Sequence, residues 1–191
     1  MMTTRSRLFV ILMAAGVLCP IAGAQEQARL EPLYRAAKQT QSAVKAGVTN
    51  PRLRELVEQF QAELSVADDR ASNDTEKATV AAFRSAYSPY AASREVWTQK
   101  IQFGSLMGGK VPCGVSRNPQ CHDWITTYGL KPIDHTPAPN PKAKKLAAPD
   151  PLAPYYDPAE IMQALWSIAD QRMVKAIDSY MGRKSEKDTA Q

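Results

Sequence analysis

The 191-residue sequence predicts an all-α fold: an antiparallel helical bundle of about four helices, with a disulfide-stapled, proline-rich irregular segment before the last one. Three observations lead there. Apolar residues recur at steps of three and four along four stretches, and helix-start and helix-stop residues bracket those stretches. Between Gly104 and Asp157 the periodicity is lost, and eight prolines fall from Pro132 to Pro158. The expected organisation is a leader over 1–24, one helical domain over 25–182 with an irregular strap or linker at 104–157, and a disordered tail over 183–191.

The leader is expected because Arg5 and Arg7 precede an apolar run from Leu8 to Leu18 that ends in Ala22-Gly23-Ala24. That order of charge, apolar core and small residues is the pattern of a secretory signal cut after Ala24. The run is too short to span a bilayer, which needs about 20 apolar residues in helix, so no transmembrane segment is expected once the leader is removed. Lipid attachment at Cys19 is disfavoured by the bulky Leu18 ahead of it. Loss of Arg5 and Arg7 leaves 22 basic residues against 19 acidic and lowers the formal charge from +5 to +3. With those charges scattered, nucleic acid is a poor partner. Lys142, Lys144 and Lys145 read as a solvated linker.

In the first expected helix, Pro32 to Val48, the stripe is Leu33, Ala37, Thr40, Val44 and Val48, and Gly47 marks its end. Asn50 then caps a second helix with Pro51 at its first position, and Leu53, Leu56, Val57, Phe60 and Leu64 form its apolar face. So short a connection makes the two helices antiparallel neighbours. Asn73 and Glu76 have capping-box spacing, which starts a third helix near Asp74. Its stripe runs Val80, Phe83, Tyr87, Tyr90, Arg94, Trp97, Ile101, with a kink expected at Pro89. These aromatics read first as core; a ligand pocket lined by Tyr87, Tyr90 and Trp97 is the sharper alternative. Asp157-Pro158-Ala159-Glu160 opens the fourth helix, with Ile161, Leu165, Ile168, Ala169, Met173, Ile177 and Tyr180 on its apolar side and Gly182 at its end.

The mature chain has two cysteines, Cys113 and Cys121, with seven residues between them. An even pair in an oxidising compartment reads as a disulfide, and closing so small a ring stabilises by roughly 2 to 3 kcal/mol in the chain-entropy model. The spacing lacks the C-x-x-C of redox sites. Zinc held by Cys113, Cys121 and His122, with His135 further on, lacks the usual short ligand pairs. Gly104 to Lys110 satisfies part of a phosphate-loop pattern, but Val111 stands where a magnesium-binding hydroxyl belongs and a helix precedes it. Asp68, Asp69, Asp74 and Glu76 lack calcium-loop spacing. Ser105 and Ser116 have no nucleophile elbow around them, and only His122 and His135 are bases near neutral pH. No cofactor or catalytic residue is assigned.

The residues from Tyr34 to Lys100, with Ala46-Gly47-Val48 at a turn, Phe60 to Leu64, Tyr87, Trp97 and Lys100, resemble a group of functionally unassigned exported bacterial helical-bundle proteins. The resemblance implies fold and no active site. The function expected is that of an exported, periplasmic or secreted, non-catalytic binding or accessory protein that neutralises or modulates another envelope protein. Its expected contact surface is His122, Asp123, Trp124, Tyr128, Tyr155 and Tyr156, because aromatics on constrained loops supply contact area at small entropic cost. The alternatives are an envelope-polymer hydrolase or metal-binding protein built on the Cys113, Cys121 and His122 region, and a small-ligand carrier.

Overall fold

A computed structural model describes residues 21–103, 110–113, 118–130 and 155–183. The expected leader up to Pro20, the phosphate-loop near miss over 104–109 with Ser105, the residues 114–117 with Ser116, the segment 131–154 with His135 and most of the prolines, and the tail 184–191 lie outside the described residues. In chain order the elements are α1 (Ile21–Ala46), α2 (Asn50–Arg70), α3 (Asp74–Phe103), β1 (Val111–Pro112), α4 (Pro119–Tyr128), β2 (Tyr155–Tyr156) and α5 (Pro158–Tyr180). Among the described residues the fold is all-α apart from the two-residue strands, which pair antiparallel with Val111 opposite Tyr156 and Pro112 opposite Tyr155.

Helix α1 starts well before the expected Pro32, which lies exposed inside it. Leu30 and Leu33, both buried, flank the proline and carry the helix past it, so the lost backbone donor falls on the solvent side. Gly47, with φ +90°, ends α1, a backbone conformation that an L side chain resists. The cap of α2 is Thr49 rather than Asn50: the Thr49 carbonyl accepts the Leu53 N–H at 2.8 Å, and Pro51 follows within the first turn. The expected face of α2, Leu53, Leu56, Val57, Phe60 and Leu64, is buried and extended by Ala67.

At the start of α3 the expected capping box forms: the Glu76 N–H donates to Asn73 Oδ1 at 2.8 Å, and the Glu76 carboxylate accepts a backbone hydrogen bond from Asn73 in return. The carboxylate also reaches one residue further back, accepting the Ser72 N–H at 2.7 Å and the Ser72 hydroxyl at 3.0 Å. Val80, Phe83 and Tyr90 are buried as expected, with Tyr87 and Trp97 packed at the core margin. Beyond Pro89 the buried face rotates to Ala92, Ser93 and Val96, leaving Ile101 65% exposed, outside the stripe assigned to it. The cause is α5, which lies along α3 over much of its length and sets which side of α3 is covered.

Two apolar clusters result among the described residues. The larger joins Leu33 and Ala37 of α1, the face of α2, Val80, Phe83 and Tyr90 of α3, and Ala169, Met173 and Ala176 of α5. The smaller joins Ala92 and Val96 of α3, Val111, Cys113, Cys121, Tyr156, and Ile161, Met162 and Leu165 of α5. Trp97 and Trp166, with ring centroids 6.3 Å apart, pack against both, and the Trp166 indole N–H donates to Ser93 Oγ at 2.9 Å. Ser93 is fully buried and passes its own proton to the Tyr90 carbonyl, so this polar link between the clusters is satisfied.

Candidate functional site

The segment expected to be irregular contains a helix. Asn118 Oδ1 accepts the Cys121 N–H at 3.1 Å, Pro119 occupies the first turn, and Gly129 closes α4 in the left-handed conformation at φ +62°. Those are the same start and stop chemistries that mark the longer helices. The cap is itself held, since Asn118 Nδ2 donates to Gln99 Oε1 of α3 at 2.8 Å.

The held cap is the first of three ties that fix α4. Cys113 and Cys121 are placed as a disulfide with Cα atoms 5.1 Å apart, inside the span such a bridge allows. Both are buried in the smaller cluster. The third tie sits at the proline of α3. Pro89 has no N–H to give the Ser85 carbonyl one turn back, and Arg172 of α5 supplies the missing donor, Nη1 to Ser85 O at 3.1 Å. The same guanidinium lies 5.4 Å from the centre of the Tyr128 ring, a cation–π contact, while the Tyr128 hydroxyl hydrogen-bonds Ser88 Oγ at 2.8 Å. The last residue of α4 is thereby docked on the proline break.

Of the six residues expected to form one contact surface, the structure keeps four on α4 and withdraws one. Asp123 is exposed, His122 is half-buried, and Trp124 and Tyr128, one helical turn apart, lean on the smaller cluster with part of each ring accessible. Tyr156 is only 4% exposed and belongs to the core; burial pushes its phenol above the ordinary tyrosine range. The β1–β2 pairing that holds it there brings Val111 opposite it, a contact with no local sign in the sequence. Tyr155 stands opposite Pro112 on β2. Arg172, Ser85 and Ser88 carry no sequence motif that singles them out. The one available signal is at Ser85, which lies four residues before a proline inside a helix, but which cation would reach it depends on how α5 packs.

The expected pocket around Tyr87, Tyr90 and Trp97 is occupied by protein. Phe60 meets Tyr87 edge-on at 5.4 Å, Trp166 meets Trp97, and Tyr90 is buried. Burial holds the Tyr90 phenol protonated far above its ordinary range, with the Asp170 charge adding to the shift. Asp170 is held below its ordinary value by the Lys45 ammonium at 2.8 Å, against desolvation and with help from the Gln41 amide. Among the described residues no three His, Cys, Asp or Glu side chains stand together as a metal site requires. What α4 can do chemically is present hydrogen-bonding groups and partly exposed aromatic surface on a tethered helix.

Compared with known proteins, the chain matches no protein-family model, no curated protein and no solved structure. Among the described residues no helix is long and apolar enough to cross a membrane.

Proposed function

We propose that this is an exported, non-catalytic binding or accessory protein, cut from its leader after Ala24, whose stapled helix α4 docks another protein of the cell envelope. The observation that carries this reading is the fixing of a ten-residue surface helix at both ends, by Asn118 and Cys121 at one and Tyr128 at the other. Preorganising so short a helix removes ordering entropy that binding would otherwise have to supply. The contact residues are then His122, Asp123, Trp124 and Tyr128. Short links at 47–49 and 71–73 support an antiparallel bundle as the frame, in keeping with the resemblance of residues 34–100 to exported helical proteins. The hydrolase alternative draws less support, because pairing Cys113 with Cys121 removes both thiolates from any metal.

The test is affinity capture from envelope extract by the oxidised protein and by its His122→Ala/Asp123→Ala form, chosen because neither side chain is part of the core. A partner retained by the first and lost by the second, at unchanged helicity, is the expected result. Equal retention overturns the assignment of the surface.

A further inference from the structure

Tyr180, the last residue of α5, gives its hydroxyl proton to a carboxylate: Oη lies 2.5 Å from Glu31 Oε2 of α1, with the Gln27 carbonyl a weaker second acceptor at 3.3 Å. We propose that Tyr180 is the tyrosine of this chain that a small one-electron oxidant, nitrogen dioxide, converts to a phenoxyl radical and then nitrates, with Glu31 taking the phenol proton. No residue of α4 takes part, so the proposal is independent of the docking surface.

A neutral phenol gives up an electron readily only when its proton leaves as well, because the protonated radical cation is much higher in energy. That coupled loss needs a base already within hydrogen-bond reach. Among the described residues Tyr180 is alone among the tyrosines in donating to a carboxylate. Tyr87 donates to the Gln61 amide at 3.0 Å, and Tyr128 shares a hydrogen bond with Ser88 Oγ at 2.8 Å, both far weaker bases. The Tyr180 hydroxyl first and the Arg35 guanidinium second hold Glu31 below its ordinary pKa, so it is ionised at neutral pH and ready to accept. Its side chain is 35% exposed, which lets it pass the proton on to water.

The surroundings of the ring admit a small oxidant and exclude a large one. Where the first turns of α3 meet the end of α5 and the early part of α1, the fold leaves a cavity of about 110 Å³ with Tyr180, Leu30, Thr79 and Ser179 in its wall. Gln27 and Gly182 also line it and are exposed, so it opens to solvent. A water takes about 30 Å³ of liquid volume and benzene fills a cavity of roughly 150 Å³, so a molecule of three heavy atoms fits and the ring of another chain's tyrosine does not. Tyr34 stacks on Tyr180 with centroids 4.6 Å apart, and Phe83 meets it edge-on at 6.5 Å. If partly exposed Tyr34 is struck first, that stack lets an electron pass from Tyr180 to refill it.

In the first step one electron moves from the Tyr180 ring to nitrogen dioxide, which leaves as nitrite, and the proton moves from Oη to Glu31. In the second, another nitrogen dioxide forms a C–N bond at the ring carbon next to the one bearing oxygen. The C–H bond at that carbon then breaks, its proton is lost and the oxygen regains one, giving 3-nitrotyrosine. Two molecules of nitrogen dioxide are consumed, and one nitrite and one proton are released.

The test exposes the folded, disulfide-bonded protein to nitrogen dioxide, generated from nitrite and hydrogen peroxide by a peroxidase, at low overall modification. Peptide mass spectrometry then quantifies 3-nitrotyrosine at each of the seven tyrosines. The expected result is that Tyr180, only 9% exposed, carries the largest share, ahead of the partly exposed Tyr34, Tyr87 and Tyr128. Tetranitromethane, which attacks the phenolate, should favour those three instead, because burial and Glu31 hold Tyr180 protonated. Glu31→Gln keeps a hydrogen-bond acceptor and removes the base. It should lower the Tyr180 yield at least about tenfold at unchanged helicity, within the roughly 100-fold that a positioned base contributes. Tyr34→Phe keeps the stack and removes the rival phenol; Tyr180 should still lead, which keeps the test decisive if Glu31→Gln does not fold. A lead by any of the more exposed tyrosines, the same order with both reagents, or undiminished Tyr180 nitration in folded Glu31→Gln overturns the proposal.

Discussion

Arg172 offers a test in which the size of an effect depends on a second residue through backbone chemistry. Replacing it by Met keeps most of the stem and removes the guanidinium, losing the hydrogen bond to the Ser85 carbonyl and the cation–π contact with Tyr128. A hydrogen bond from a charged donor contributes about 1.5 kcal/mol at the low end of its range, suited to a partly exposed site, and the cation–π contact about 0.5 kcal/mol. Arg172→Met should therefore cost about 2 kcal/mol. In a Pro89→Ala background residue 89 regains an N–H for Ser85, so the carbonyl no longer depends on α5. The cost of Arg172→Met should then fall by about 1 kcal/mol, beyond the few tenths by which independent sites fail to add. Urea unfolding of the four proteins, followed by helical circular dichroism, measures the difference. Equal costs in both backgrounds would refute the claim that Arg172 replaces the donor that Pro89 lacks.

Asn118→Ala should cost about 1 kcal/mol, the usual loss on removing a helix cap, and should raise hydrogen exchange across α4 more than across α2. Reducing and alkylating Cys113 and Cys121 should lower stability by roughly 2 to 3 kcal/mol in the same urea assay, with the loss appearing first as exchange in α4 and β1. Acid and alkali act with opposite signs. Glu31, held low first by the Tyr180 hydroxyl, and Glu76, held low by Ser72, contribute stability that is present above their ordinary 4.5 and drains as pH falls below it. Tyr180, pushed up by burial and then by its 2.5 Å hydrogen bond to Glu31, contributes stability that is complete below pH 10.0 and is lost as pH rises beyond it. Tyr180→Phe should flatten the alkaline limb of a pH–stability curve, and an unchanged limb would show that the phenol is not responsible.

The apolar face of α2 is legible because one neighbour set, Leu53 through Leu64, repeats cleanly and Pro51 marks its first turn, although the cap falls on Thr49 and not on Asn50. The same holds for α5 at its start, where Asp157 accepts the Ala159 N–H at 2.7 Å. Legibility fails where burial depends on a distant element. Ile101 continues the α3 stripe in sequence, yet the side of α3 that is covered is decided by α5, so the repeat keeps its period and loses its phase. Tyr156 resembles an exposed loop aromatic because the strand that covers it, β1, comes far earlier in the chain. Helix α4 is hidden for another reason. Asn118-Pro119 and Gly129 are sound capping signals, but the helix is too short to show a full apolar repeat, and prolines after it make the whole region look broken. The cysteine pair is legible from count and spacing, whereas the ion pair of Arg29 with the buried Glu76 carboxylate emerges only when α1 is in place beside α3.

A photo-activated cross-linking residue placed at Asp123, with one at exposed Ala62 of α2 as control, tests the docking role of α4 most directly when the protein is exported in living cells. The account predicts a covalent adduct with a defined envelope protein from position 123 and none from position 62. Adducts from 62 alone, or the same adducts from both positions, would contradict it.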